Sequence, residues 1–284
     1  MKVGPRLLHL ARDRGARAIS VVGTAKGVGK TTTLLAIYQA AVDAGLRLGF
    51  VSAGYRARLP LRAGTLFATA RTLLSPSPAT LIVGTTSLQT PSGTVVYART
   101  VHDGQYDVIG PSTAAGLRDA VEFLDAHTDL VLIDGAVDRL AMLARSAGVI
   151  VVACGAAAAK SEVEAVDDVG ALIERLHLPV VDSEREIIAI PAALTPSVAD
   201  ELMRSAETRQ IVVDDPTQIA LHGAGLAQAM RRLRLRCRHP LQVVAATTCA
   251  FAPERAFEPA RFLQAVTERV GLPAFDVFAA REAA

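Results

Sequence analysis

Residues 18–33, AISVVGTAKGVGKTTT, contain the residue types from which a phosphate cradle is built. Ala18 to Val22 is a short apolar run of the kind that forms a buried parallel strand. It breaks at Gly23, crosses a loop carrying Gly27, Val28 and Gly29, and reaches Lys30, Thr31, Thr32 and Thr33. Leu34, Leu35, Ile37 and Tyr38 then recur at helical spacing. In a strand–loop–helix of this composition, small residues let successive backbone N–H groups converge on phosphate oxygens. The helix N-terminus adds partial positive charge, a lysine reaches the β- and γ-phosphates, and a hydroxyl ligates Mg²⁺. The spacing assigns Gly27, Val28, Gly29, Lys30, Thr31 and Thr32 to the phosphates of a nucleotide. It does not read the base, and ATP is the expectation by default over GTP because nothing resembles the N-K-x-D guanine signature. Thr31 also serves the metal.

A second segment supplies the carboxylate that such a site needs. Leu130, Val131, Leu132 and Ile133 are four apolar residues ending in Asp134, the Walker-B pattern of a buried strand that places an acid beside the loop. Asp134 is assigned to Mg²⁺ with Thr31, and Lys30 and Asp134 are the expected catalytic pair. The competing reading of Asp134 is a turn residue, because many strands end in Asp. Asp138, four residues on, reads as a solvated loop carboxylate. Gly110-Pro111-Ser112-Thr113 opens a predicted helix whose free N–H groups would either hold an anion or be satisfied by Ser112 or Thr113 as cap. Arg56 and Arg58 follow the second strand, where they would meet phosphate or carboxylate or face solvent.

The wider composition narrows the function classes. Only four lysines (Lys2, Lys26, Lys30, Lys160) stand against twenty-six arginines, yet two of the four lie in the glycine loop, where a compact ammonium suits phosphate. The formal charge of +2 argues for no nucleic-acid partner. The densest basic stretch, Arg231 to Arg238, has no interleaved aromatic residues for base stacking and reads as a solvated helix end running into an alternating edge strand, with a surface for a protein partner as the alternative. Cys154, Cys237 and Cys249 form no C-x-x-C pair and read as buried structural thiols. No apolar run reaches the ~18 residues of a membrane span, and residues 1–17 lack a signal peptide's apolar core. The expectation is a soluble, cytoplasmic protein with no membrane partner.

The elements that must position these residues alternate between strand-like and helix-like, which predicts an α/β fold: a three-layer, doubly wound, mostly parallel sheet. Strands are expected at 18–22, 48–52, 107–109, 130–133, 148–153, 179–181, 210–213 and 242–247, and a hairpin at 80–88 and 94–100. Helices are expected from Lys30 to about Ala44, over 65–74, from Ser112 to Ala126, and over 161–176. Residues 54–64 read as an arginine-rich loop. A soft boundary near 182–184 divides a nucleotide-binding core, residues 1–182, from a C-terminal α/β extension, residues 183–284, that would continue the same domain or stand apart.

The loop departs from G-x-x-x-x-G-K-[ST] by having Thr24 where glycine is usual, with Gly23 one step earlier. In this it resembles dethiobiotin synthetases, members of the P-loop class that also holds the MinD/ParA ATPases. Lys26 resembles the additional signature lysine of MinD/ParA proteins but sits one residue nearer Lys30, so their role is not assigned to it. Over nearly the whole chain, further segments resemble one bacterial family: GTLFATA at 64–70, GPSTAAGLRD at 110–119, LIDGAVDR at 132–139, DDPTQI at 214–219, VVAATTCAFAP at 243–253 and PAFDVF at 273–278. That family is the P-loop subunit proposed as reactivase of adenosylcobalamin-dependent lysine 5,6-aminomutase, from lysine-fermentation gene neighbourhoods. The resemblance implies ATP-driven exchange of damaged cobalamin on a partner, which would be the aminomutase or the other reactivase subunit. Relatives in the class commonly act as homodimers. No histidine fits a cobalt-ligating motif, so cobalamin would stay with the partner. The rival readings are an ATP-dependent ligase and a non-hydrolysing nucleotide sensor. Against a dethiobiotin synthetase, Gly49 to Ser52 offers no substrate-activating lysine after the second strand.

Overall fold

The computed structural model describes residues 2–54, 56–74, 79–135, 148–205 and 208–278. The chain divides into two compact units, one built from 1–22, 30–142 and 146–149, the other from 23–29, 143–145 and 150–284. Seven α-helices are present among the described residues. None is long and apolar enough to cross a membrane. The architecture is mixed α/β with a mostly parallel sheet.

In the first unit, helix α1 (Val3–Asp13) buries Gly4, Leu7, Leu8 and Ala11. It crosses helix α2 so closely that a Cβ at Gly4 would lie 2.0 Å from the Ala36 carbonyl oxygen. Strand β1 (Ala18–Gly23) leads to α2 (Lys30–Asp43), and β2 (Leu48–Ser52) follows. Residues 54–64 are not the loop expected from their arginines. Ala57–Leu61 forms β3, with Leu59 and Leu61 buried between exposed Arg58 and Pro60, a period of two that the arginines mask. Nor is 65–74 a helix. Leu66–Ala70 is β4, fully buried, and only Arg71–Leu73 makes a 3₁₀ turn. A short apolar run fits either period, and here pairing decides: β4 runs parallel to β2 on one side and antiparallel to a hairpin strand on the other. That hairpin is β5 (Thr80–Thr90) and β6 (Gly93–Thr100), at the expected place.

Strand β7 (Gly104–Val108) pairs antiparallel with β3. Helix α3 (Ala114–His127) is capped by Thr113, whose hydroxyl accepts from the Gly116 N–H, so of the two expected caps Thr113 serves. Strand β8 (Leu130–Asp134) then inserts between β1 and β2, parallel to both, and the unit's order is β1-β8-β2-β4-β6-β5.

In the second unit, β9 (Gly148–Gly155) is followed by α4 (Glu162–Leu176), capped by Ser161. Three short parallel strands follow: β10 (Ile187–Ala189), β11 (Gln210–Val213) and β12 (Arg234–Cys237). Helix α5 (Pro196–Arg204) and helix α6 (Gly223–Arg232) connect them. Leu194, Met203, Ile211, Leu226 and Leu235 meet in one apolar cluster beside this sheet. The strand expected at 179–181 is reduced to a single bridge between Val180 and Cys237. Strand β13 (Val243–Cys249) pairs with β9, a small hairpin of β14 (Phe251–Ala252) and β15 (Arg255–Ala256) follows, and α7 (Pro259–Val270) returns the chain to β16 (Ala274–Asp276), also on β13.

Candidate functional site

The glycine loop keeps the backbone that its sequence requires. Gly27 and Gly29 have φ of 83° and 89°, in the left-handed region that a side chain disfavours. There is also little room for one. A Cβ on Gly27 would come 3.2 Å from the Ala157 Cβ, and one on Gly29 would come 3.3 Å from the Cys249 Cβ. Val28 between them is buried. The Thr24 N–H donates to the Ala153 carbonyl at 3.0 Å, which ties the start of the loop to the end of β9. The backbone thus leaves the strand, makes two glycine-only turns, and enters α2 at Lys30.

In the first unit, β8 carries the acid to the level of neighbouring strand ends. Asp134 is in register with Val21 of β1 and with Ser52 of β2, so these three side chains share one face of the sheet. Helix α2 covers that face: the Tyr38 ring meets the Phe50 ring edge-on with centroids 6.4 Å apart, and Phe50 is two residues before Ser52. Lys30 opens this same helix.

The electrostatics couple the two predicted catalytic groups. Burial pushes the Lys30 ammonium's pKa down, and the charge of Asp134 opposes that shift. Burial pushes the Asp134 carboxyl's pKa up, and Lys30 opposes it. In both groups desolvation is the larger influence and the mutual attraction opposes it. A carboxylate at the end of β8 and a lysine at the head of α2 are the donor types that a Mg²⁺–phosphate ligand takes, and on that chemistry the residues fit one. Thr31 is exposed, Thr32 half-buried and Thr33 buried along the first turn of α2.

Other sequence candidates resolve differently. The Arg56 guanidinium grips Asp107 with both prongs, at 3.0 and 2.9 Å. Arg58 alternates outward on β3. Gly110 is required because the chain passes over the end of β2, where a Cβ would sit 2.1 Å from the Ser52 carbonyl oxygen. Lys26 is exposed. Arg231 and Arg232 end α6, and β12, the edge strand of its small sheet, alternates exposed Arg234 with buried Leu235 and Cys237. All three cysteines are buried and free. Burial raises Cys154 to about 12 and Cys237 to about 11, far from a reactive thiolate. Asp138 lies outside the described residues. A hollow between α2 and the β3–β7 pair is lined by Tyr38, Arg62 and Asp103 but by neither Lys30 nor Asp134. The sequence reading passed over Ser52, whose only signal was a hydroxyl at the end of an apolar strand.

A scan against models of protein families gives no match. A comparison with curated proteins gives none either. Among solved structures, the chain is similar to the BceF tyrosine kinase domain at 18% identity, with a TM-score of 0.34 over 57% of this chain and 66% of that one.

Proposed function

We propose that this chain is a Mg²⁺-dependent P-loop protein that binds and hydrolyses ATP, with the three-layer, doubly wound fold of the dethiobiotin synthetase/MinD class. The observation that carries the reading is the glycine loop. Two glycine-only turns at Gly27 and Gly29 join a parallel strand to a helix that opens on Lys30, and Lys30 is electrostatically coupled to Asp134. The N–H groups from Gly27 to Thr32 and the Lys30 ammonium would hold the phosphates. Thr31 and Asp134 would hold Mg²⁺, which when bound neutralises phosphate charge. No general base is assigned, since phosphoryl transfer is served largely by positioning and charge compensation.

The work done with that hydrolysis is the reactivation of an adenosylcobalamin-dependent amino-acid aminomutase by exchange of its damaged cofactor. The sequence resemblance along residues 18–278 supports this. Opening a partner to release a tightly held cofactor needs a free-energy source, and a nucleotide cycle between two conformations is one. A ligase of the rival reading that worked through a nucleophilic thiol is disfavoured by the raised pKa values of Cys154 and Cys249. The test is ATP hydrolysis by the purified chain, alone and with an inactivated aminomutase from the same organism. Stimulated hydrolysis together with regained mutase activity is expected. Hydrolysis indifferent to the mutase would overturn the reactivase role, and the absence of ATP binding would overturn the whole reading.

A further inference from the structure

Ser52 is the last residue of β2 and is fully buried. Its hydroxyl oxygen has no hydrogen-bond partner among the described residues. A buried hydroxyl left unpaired is destabilising, so its neighbourhood calls for an explanation. Ser52 stands directly in register with Asp134, and the Ala53 N–H donates to the Asp134 carbonyl at 2.8 Å. The two side chains therefore leave adjacent strands at the same level and on the same face, the face that α2 covers with Lys30 at its head. The backbone of Gly110 crosses over the Ser52 carbonyl, which holds this strand end in place. A neutral oxygen with two lone pairs thus stands on the strand next to the Asp134 carboxylate, at the same level and on the same face.

We infer that the Ser52 hydroxyl is a further protein oxygen for the nucleotide-bound divalent cation, acting on the ion or on one of its waters beside Asp134. The inference rests on the Mg²⁺–ATP reading above and adds to it a residue that no motif marks. Mg²⁺ takes six oxygens, retains several waters and accepts few from protein, which suits one carboxylate and hydroxyls from Thr31 and Ser52. The Ser20 hydroxyl also has no partner among the described residues, but it is in register with Ile133, on the opposite face, and takes no part.

The experiment compares ATP binding by calorimetry, with Mg²⁺ and with chelator, for the wild type, Ser52→Ala and Lys30→Ala. Thermal melting of each without ligand is measured alongside. In Ser52→Ala the gain in affinity from Mg²⁺ should shrink roughly five- to tenfold, while metal-free ATP affinity stays at the wild-type value. Its ligand-free melting temperature should not fall, because the hydroxyl removed had no partner. Ser52→Cys, near in size but a poor Mg²⁺ ligand, should lose the same gain. A Mg²⁺ gain unchanged in both Ser52 variants overturns the inference while leaving the nucleotide site intact. A lower melting temperature with an unchanged Mg²⁺ gain assigns Ser52 a structural role and also overturns it. If the wild type binds no ATP in either condition, the nucleotide reading itself falls, and the inference falls with it.

Discussion

Lys30 and Asp134 illustrate how a side chain's environment, rather than its type, sets the cost of its charge. Each is partly withdrawn from water, and each is the other's opposing charge, yet desolvation leads in both shifts. Such groups are costly to bury, and groups with shifted pKa values cluster at functional sites. Replacing Lys30 with Ala should weaken ATP binding by about 1.5–3 kcal/mol, the scale of a charge-assisted hydrogen bond, as read by calorimetry. ATP affinity retained at the wild-type value would remove Lys30 from the phosphates. If Asp134 serves the proposed Mg²⁺, Asp134→Asn should lower turnover far more than ATP affinity, because the amide keeps the shape and loses the charge that would hold the metal. Equal losses in kinetics and binding would make Asp134 a structural residue.

Among the elements, the parallel strands β1, β8 and β2 bring residues more than eighty positions apart to one level. Their register is pinned at the opposite end by Arg47 and Asp129, the residues just before β2 and β8. The Arg47 backbone N–H donates to one Asp129 oxygen at 2.9 Å and its guanidinium to the other at 2.6 Å. These bonds hold the Asp129 carboxyl at about 2, below its ordinary 3.8. A carboxyl with a depressed folded-state pKa stabilises the fold above its unfolded value and loses that contribution as pH falls towards the folded one. The stability difference between the wild type and Arg47→Ala should therefore be constant at neutral pH and shrink from about pH 4 towards 2, followed by urea unfolding. A difference that does not change over that range would show that the pair does not set the register's stability. Elements whose own residues favour one state were legible beforehand: β1, the capped start of α3, α4 and the hairpin of β5 and β6. Those that depend on neighbours were not, because Leu66–Ala70 becomes a strand only by pairing with β2 and β6, and β3 only by pairing with β7.

For the whole molecule, ligand binding should appear as stability. A ligand held only by the folded state stabilises it by RT ln(1 + [L]/Kd), about 2.7 kcal/mol at a hundredfold excess over Kd. Melting temperature should rise with ATP concentration in the presence of Mg²⁺ and rise less with chelator, measured by scanning calorimetry. A melting temperature indifferent to ATP would contradict the proposed site. What the sequence by itself determined was local: a strand, a loop of glycines at fixed offsets, a helix headed by Lys30, and an apolar run ending in Asp134. These are legible because φ above zero demands glycine and because buried strands demand unbroken apolar runs, constraints that act within a few residues. Only the tertiary structure decided which strand ends lie together. The insertion of β8 between β1 and β2 sets Ser52 beside Asp134, and that adjacency comes from hydrogen-bond register between segments distant in the chain, which no local pattern encodes.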